Sequence, residues 1–192
     1  MTESLNIALA QINPRVGDVD GNIDLIRTSR AKAAADGCDL VVTGELVVSG
    51  YPPEDLVLKP AFQDHVEAAV IALAKETDDG GPALLIGVPW RQNGDLYNAA
   101  LLLDEGRMSG LMLKHVLPNY GVFDEMRVFT SGPGPGPLMF RDVALGVMIC
   151  EDMWTPDVTE CLDETGADIL VVLNGSPFEV DKTDTRLNLA TA

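Results

Sequence analysis

Three polar residues, Glu45, Lys114 and Cys150, each stand at or just beyond the end of an apolar run with the character of a β-strand. In α/β proteins, functional side chains cluster just beyond the carboxyl ends of strands. A cysteine can attack a carbonyl carbon, a glutamate can carry the thiol proton, and a lysine ammonium can stabilise the resulting oxyanion. The three residue types therefore predict the hydrolysis of an amide by a thiol nucleophile.

Each of these residues taken alone also has an ordinary structural explanation. A cysteine after an apolar strand is more often a small core residue than a nucleophile. Glu45 fits an exposed loop carboxylate, and Lys114 fits the solvated end of a strand. A free thiol has a pKa near ~8.5, so a nearby base would be useful at neutral pH. The catalytic interpretation thus depends on the three side chains meeting in space.

The elements that must position these residues alternate between strand and helix. Apolar, β-prone runs predict strands at 6–11, 40–42, 83–88, 96–103, 108–113, 143–149 and 168–173, with the fourth and fifth forming a hairpin through residues 104–106. Helices are predicted from an N-cap at Asn22 to Gly37, from Phe62 to Thr77, from an N-cap at Thr155 to Thr165, and from Thr183 to Ala192. Buried strands alternating with helices predict an α/β fold with antiparallel pairs mixed in.

Composition excludes several classes of function. The chain has 192 residues, enough for one domain, with 13 basic and 30 acidic side chains and a net charge of −17, which argues against binding to nucleic acid or to an anionic membrane. No apolar stretch approaches the ~18 residues of a membrane span, and the N-terminus lacks the features of a signal peptide. Three cysteines without a CxxC spacing fit reduced thiols in the cytoplasm. His65 and His115 have no partner at metal-ligand spacing, so we predict no metal.

Three short segments resemble the signatures of the nitrilase (carbon–nitrogen hydrolase) superfamily, in chain order and at suitable spacing. They are Gly44-Glu45, the segment KHVLP that begins at Lys114, and the segment ICED that contains Cys150. The resemblance implies an α-β-β-α sandwich and a catalytic triad of Glu45, Lys114 and Cys150.

Four longer segments are similar to a narrower family, the glutaminase domains at the N-terminus of glutamine-dependent NAD+ synthetases. These segments are VSGYPPEDL (48–56), LPNYGVFDE (117–125), CEDMW (150–154) and NGSPF (174–178). The resemblance implies that Cys150 attacks the side-chain amide of glutamine. It also implies that Tyr120, Ser176 and Lys182 bind glutamine. Glu125 would orient the lysine, with a structural salt bridge as the alternative.

The same resemblance implies a domain organisation. Residues 1–192 would form one glutaminase domain, truncated so that the sandwich is incomplete at its C-terminus. The synthetase domain, which would act in cis with ATP and magnesium as its cofactors, is absent from this sequence, and the glutaminase domain itself would need no cofactor. The full-length protein would be a cytoplasmic homo-oligomer. Two alternatives stay open, namely a free-standing amidase acting on another small amide and a non-catalytic scaffold fragment.

Overall fold

Two β-sheets lie face to face in the computed structural model, which describes residues 4–177 and 183–191. The strands are β1 (Ile7–Leu9), β2 (Leu40–Val42), β3 (Ala83–Gln92), β4 (Asp95–Asp104), β5 (Arg107–Leu113), β6 (Leu138–Phe140), β7 (Val143–Ile149) and β8 (Ile169–Leu173). The α-helices are α1 (Val19–Ala35), α2 (Pro60–Glu76), α3 (Pro156–Glu164) and α4 (Thr183–Thr191), and short 3₁₀ turns cover Glu54–Leu58, Glu125–Arg127 and Cys150–Trp154.

The larger sheet has the strand order β1-β2-β3-β4-β5. Its first three strands are parallel, whereas β3, β4 and β5 follow one another as antiparallel hairpins. The smaller sheet has the order β6-β7-β8, with β6 antiparallel and β8 parallel to β7. Consequently β2 and β7, after which Glu45 and Cys150 lie, belong to different sheets.

Side chains that alternate between the two faces of each strand connect the layers of the molecule. In β2, Val41 packs against the cluster made by α1 and α2, whereas Leu40 and Val42 face the smaller sheet. Successive side chains of a strand point to opposite faces, so the larger sheet buries both faces. On the far side of the smaller sheet, Val158 and Leu162 of α3 pack against Met148. The result is a four-layered α-β-β-α sandwich, which confirms the predicted fold class.

Most predicted elements are present, with local corrections. The first helix begins at Val19, and its N-cap is Asp18, whose carboxylate accepts a hydrogen bond from the Gly21 N–H at 3.1 Å. Asn22, the predicted cap, instead lies inside the helix, and its buried amide binds the carbonyl of Val48 at 3.1 Å. Thr155 occupies the N-cap position of α3 but makes no side-chain cap hydrogen bond. Strand β6 and the three 3₁₀ turns were not predicted.

None of the helices in the described part of the chain combines the length and the apolar character that crossing a membrane requires.

Candidate active site

Lys114 follows the last residue of β5, where the sequence placed it, but its side chain is fully buried. The backbone N–H of Lys114 donates to the carbonyl of Asn98 in β4, and this hydrogen bond fixes the backbone of Lys114. Its ammonium nitrogen lies 2.7 Å from Oε1 of Glu45 and 2.9 and 2.8 Å from the two carboxylate oxygens of Glu125. A buried ammonium needs such partners, because transfer of an unpaired charge from water is very costly.

Glu45 stands in the turn after β2, pressed against the neighbouring strand β3. A Cβ atom built on Gly87 of β3 would lie 2.4 Å from the Leu46 nitrogen and 2.5 Å from the Gly44 oxygen. Only a glycine lets the turn approach this closely, so β3 sets the position of the Glu45 backbone. Oε1 of Glu45 accepts hydrogen bonds from Lys114 and Asn98, whereas Oε2 is buried and has no hydrogen-bond partner among the described residues.

Cys150 occupies a sharp elbow between β7 and the 3₁₀ turn Cys150–Trp154. Its backbone is in the left-handed region, with φ of 49°, which is strained for a residue with a side chain. The carboxylate of Asp152 holds the elbow by accepting hydrogen bonds from the N–H groups of Ile149, His115 and Val116 at 3.0, 3.1 and 2.8 Å. Asp152 therefore ties the segment that carries Cys150 to the segment that follows Lys114.

The turn after β8 brings the thiol and the carboxylate of Glu45 to the same place. The sulfur of Cys150 lies 3.2 Å from the hydroxyl oxygen of Ser176. A Cβ atom on the neighbouring Gly175 would lie only 2.7 Å from Oε2 of Glu45. The carboxylate oxygen and the thiol thus lie against adjacent residues of one turn.

The electrostatics of the site keep the thiol protonated and the lysine charged. Burial, followed by the negative charge of Glu45, raises the pKa of Cys150 from 9.0 to about 12, and Lys114 opposes both. Burial alone would lower the pKa of Lys114, but the carboxylates of Glu45 and Glu125 outweigh burial and raise it. Burial also raises the pKa of Glu125, against the effect of Lys114.

The residues predicted to bind substrate have different surroundings. Ser176 contacts the thiol directly. Tyr120 is 56% exposed, and its hydroxyl donates to the carboxylate of Glu151, the residue after the nucleophile candidate, at 2.8 and 3.0 Å. Lys182 lies outside the described residues. Glu125 contacts the ammonium of Lys114 at 2.8 Å, a contact that fits both an orienting residue and a structural salt bridge.

Sequence reasoning missed two residues of this site. Asn98 is fully buried, and its amide nitrogen lies 2.8 Å from Oε1 of Glu45 and 3.4 Å from Oε2 of Glu125. The signal was an amide side chain at the head of the apolar run Ala99–Leu103 of β4. Tyr51 reaches Glu125 with its hydroxyl at 3.5 Å, and burial together with Glu45 and Glu125 raises its pKa.

Two cavities meet at the site. One of about 410 Å³ is lined by Glu45, Tyr51, Asn174 and Ser176 among others, and is mixed in character. The second, of about 260 Å³, is mainly apolar, and Glu125 contributes to its wall. Tyr51 and Gly175 line both cavities. Within residues 4–177 and 183–191, no group of three or more histidine, cysteine or acidic side chains is arranged to hold a metal ion.

Comparison with known proteins agrees with this architecture. The chain is 45% identical over its whole length to a glutamine-dependent NAD(+) synthetase of Rhodobacter capsulatus, of which it spans 35%. It superimposes on 35% of a glutamine-dependent NAD+ synthetase of Acinetobacter baumannii with a TM-score of 0.90 and 35% identity, covering 96% of this chain. It also superimposes on 70% of an amidase from Nesterenkonia with a TM-score of 0.79 and 25% identity, covering 93% of this chain. The carbon–nitrogen hydrolase family model matches residues 6–191, and the chain belongs to that family.

Proposed function

We propose that the chain is a glutaminase domain that hydrolyses the side-chain amide of glutamine to glutamate and ammonia through a thioester on Cys150. The observation that carries the proposal is the buried pair of Lys114 and Glu45, in which one carboxylate oxygen binds the ammonium and the other has no hydrogen-bond partner within the described part of the chain. A carboxylate held in this way can accept a proton from the thiol without moving away from the lysine.

The first half of the reaction forms the thioester. The sulfur of Cys150 attacks the amide carbon while its proton passes to Oε2 of Glu45. Because the raised pKa of Cys150 disfavours a free thiolate, proton transfer accompanies attack and leaves the net charge of the site unchanged. The carbonyl oxygen becomes an oxyanion, and Glu45 then hands the proton to the departing nitrogen, which leaves as ammonia.

Lys114 is suited to stabilise the oxyanion. An ammonium has three N–H donors, and the two oxygens of Glu125 can share one of them while Glu45 takes another. The third donor is available for the substrate oxygen, and such a donor contributes roughly 3–4 kcal/mol to transition-state stabilisation. In the second half, Glu45 accepts a proton from water, the resulting hydroxide attacks the thioester, and the sulfur regains its proton as glutamate leaves.

Glutamine as the substrate is supported by similarity to proteins named glutamine-dependent NAD(+) synthetases. We propose that Tyr120, Ser176 and Lys182 bind the polar groups of glutamine and that Glu125 orients Lys114. In the wider proposal, residues 1–192 are one glutaminase domain of a cytoplasmic, homo-oligomeric enzyme. Its synthetase domain, acting in cis with ATP and magnesium, uses the ammonia to amidate deamido-NAD+.

The proposed function is tested with a diazo-ketone analogue of glutamine, which alkylates a nucleophilic thiol with loss of N₂. We expect mass spectrometry to find one adduct, located on Cys150, and glutamine to slow its formation. Cys150→Ala should abolish the adduct, whereas the matched change Cys161→Ala, at a half-buried cysteine whose thiol donates to the carbonyl of Pro135, should preserve it.

Release of ammonia from glutamine by the wild-type chain is the second measurement. If the chain releases ammonia faster from another small amide than from glutamine, the alternative function, a free-standing amidase, is favoured. The likeness to the Nesterenkonia amidase supports that alternative. Absence of the adduct, together with no ammonia release from glutamine or from other small amides, would contradict a catalytic role and favour the scaffold alternative.

A further inference from the structure

Asn98 is a buried side chain that the proposed reaction does not use. Its amide nitrogen donates to Oε1 of Glu45 at 2.8 Å and lies 3.4 Å from Oε2 of Glu125, so one side chain spans both carboxylates. Its carbonyl oxygen is buried without a hydrogen-bond partner among the described residues. The opposite orientation of the amide would place that oxygen against two carboxylates, so the nitrogen must face them.

A half-satisfied amide in a fully buried position is costly, and such groups in native proteins call for an explanation. Packing does not supply one, because Leu has nearly the same shape and needs no partner. The backbone carbonyl of Asn98 also accepts the hydrogen bond from the N–H of Lys114. The side chain of Asn98 thus contacts the carboxylates of Glu45 and Glu125, and its backbone binds the backbone of Lys114.

The charge balance of the site suggests what this amide does. Two carboxylates share one ammonium, and among the residues that the structure describes the ionisable groups beside them, Tyr51 and Cys150, bring no positive charge. Adjacent carboxylates tend to hold a proton between them unless donors stabilise both charges. A base that already holds a proton cannot accept one from a thiol.

We propose that Asn98 is a positioning residue that spans the two carboxylates and holds Oε1 of Glu45, so that Oε2 stays free to accept the thiol proton. This inference rests on the proposed role of Glu45 as the proton acceptor. The hydrogen bond from Asn98 also lowers the pKa of Glu125, although burial is the larger influence and raises it. The amide therefore contacts both carboxylates and acts on Glu125 in the direction that favours its charged form.

The test measures how fast acrylamide alkylates Cys150 as a function of pH, a readout that needs no knowledge of the natural substrate. In this reaction the sulfur bonds to the terminal carbon of the double bond, and the thiol proton ends on the neighbouring carbon. In Asn98→Ala we expect the rate at neutral pH to fall by about tenfold to a hundredfold, the usual effect of losing a hydrogen bond to a charged group. We also expect the acidic limb of the pH–rate profile to move up by about one pH unit, because the carboxylate pair then lacks the amide hydrogen bond that lowers the pKa of Glu125.

Asn98→Leu is the second variant, since leucine nearly keeps the shape of the side chain if Asn98→Ala fails to fold. It also lacks the amide donors, so the acidic limb should move upward as in Asn98→Ala. Thr77→Val is the matched control, because the Thr77 hydroxyl is also buried and bonded on both sides, to the carbonyl of Ala74 at 2.7 Å and the N–H of Gly106 at 3.0 Å. It should keep both the rate and the profile of the wild type.

The outcomes separate this inference from the proposed function. An unchanged acidic limb in folded Asn98→Ala or Asn98→Leu overturns the positioning role, even if the wild type releases ammonia from glutamine. If the acidic limb of the alkylation profile shifts in the Asn98 variants but the wild type does not hydrolyse glutamine, the positioning role is supported. Only glutamine as the substrate is then rejected.

Discussion

The ammonium of Lys114 lies 2.7 Å from the carboxylate of Glu45, and neither side chain is exposed to solvent. A buried ion pair is weak support for stability as such, since desolvation offsets much of its attraction. Breaking the pair is a different matter, because it leaves an uncompensated charge inside the protein. The stability of the folded protein should therefore fall strongly when either Lys114 or Glu45 is removed alone.

Replacement of Lys114 by methionine tests this dependence. Lys114→Met leaves the carboxylates of Glu45 and Glu125 facing each other, and we expect the free energy of unfolding at neutral pH to fall by about 3–5 kcal/mol. The folded variant should bind a proton more readily than its unfolded chain, so its stability should rise as pH falls toward 5. Urea unfolding at several pH values measures both effects.

The control for this substitution is Lys75→Met, at an exposed position in the last turn of α2. We expect its free energy of unfolding to stay within about 0.5 kcal/mol of the wild type. Equal losses in the two variants, or a pH-independent loss in Lys114→Met, would show that the buried carboxylates do not depend on the ammonium.

How much of this site could be predicted depends on the range of the interactions involved. The ends of β2, β5 and β7 follow from local apolar runs, so the positions of Glu45, Lys114 and Cys150 in the fold were predictable. Whether the side chains met was not, because β2 and β7 belong to different sheets that only packing brings together. The resemblance to a family supplied what spacing could not.

The errors at the ends of elements have local physical causes. Asp18 and Asn22 are both good N-cap residues, and sequence alone does not show that the Asn22 amide is taken by the Val48 carbonyl of a distant loop. Strand β6 has only three residues and exists because it pairs with β7. Asn98 was overlooked because a single polar residue beside an apolar strand carries no periodic signal.

The raised pKa of Cys150 predicts a specific dependence of stability on alkaline pH. Burial raises this pKa from 9.0 to about 12. Between these values the folded protein keeps a proton that the unfolded chain loses, so the contribution of this group is full below pH 9 and is lost as pH rises toward 12. Over this range the contribution of Cys150 to the free energy of unfolding should fall by about 1.4 kcal/mol per pH unit.

The measurement is the difference in unfolding free energy between wild type and Cys150→Ala at pH 8, 9, 10 and 10.5. Taking the difference cancels the titration of lysines and tyrosines common to both proteins. We expect the advantage of the wild type to shrink above pH 9. A difference that stays constant over this range would mean that the thiol ionises as easily in the fold as in the unfolded chain.

Asp152 should align Cys150 with Lys114, although its side chain takes no part in the proposed reaction. Its carboxylate receives N–H groups from the segments that carry Cys150 and follow Lys114. Asp152→Ala leaves these buried donors without a partner, at a cost of roughly 1–3 kcal/mol in unfolding free energy. We also expect slower alkylation of Cys150 by acrylamide. The exposed Asp163→Ala, in the same region, is the control, and a wild-type alkylation rate in Asp152→Ala would refute the aligning role.

Gly175 offers the most direct test of the space around Glu45. A methyl group there would lie 2.7 Å from Oε2 of Glu45, closer than real contacts allow, so Gly175→Ala must displace either the carboxylate or the turn that contacts the thiol. Misplacement of a reacting group by about 1 Å can cost about a hundredfold in rate, and we expect a loss of that order in ammonia release. Gly136→Ala adds the same methyl group where no atom lies within 4 Å, and it should leave the rate unchanged. Equal rates in the two variants would mean that the reaction does not depend on the exact placement of Oε2 and of this turn, which would contradict the proposed proton transfer geometry.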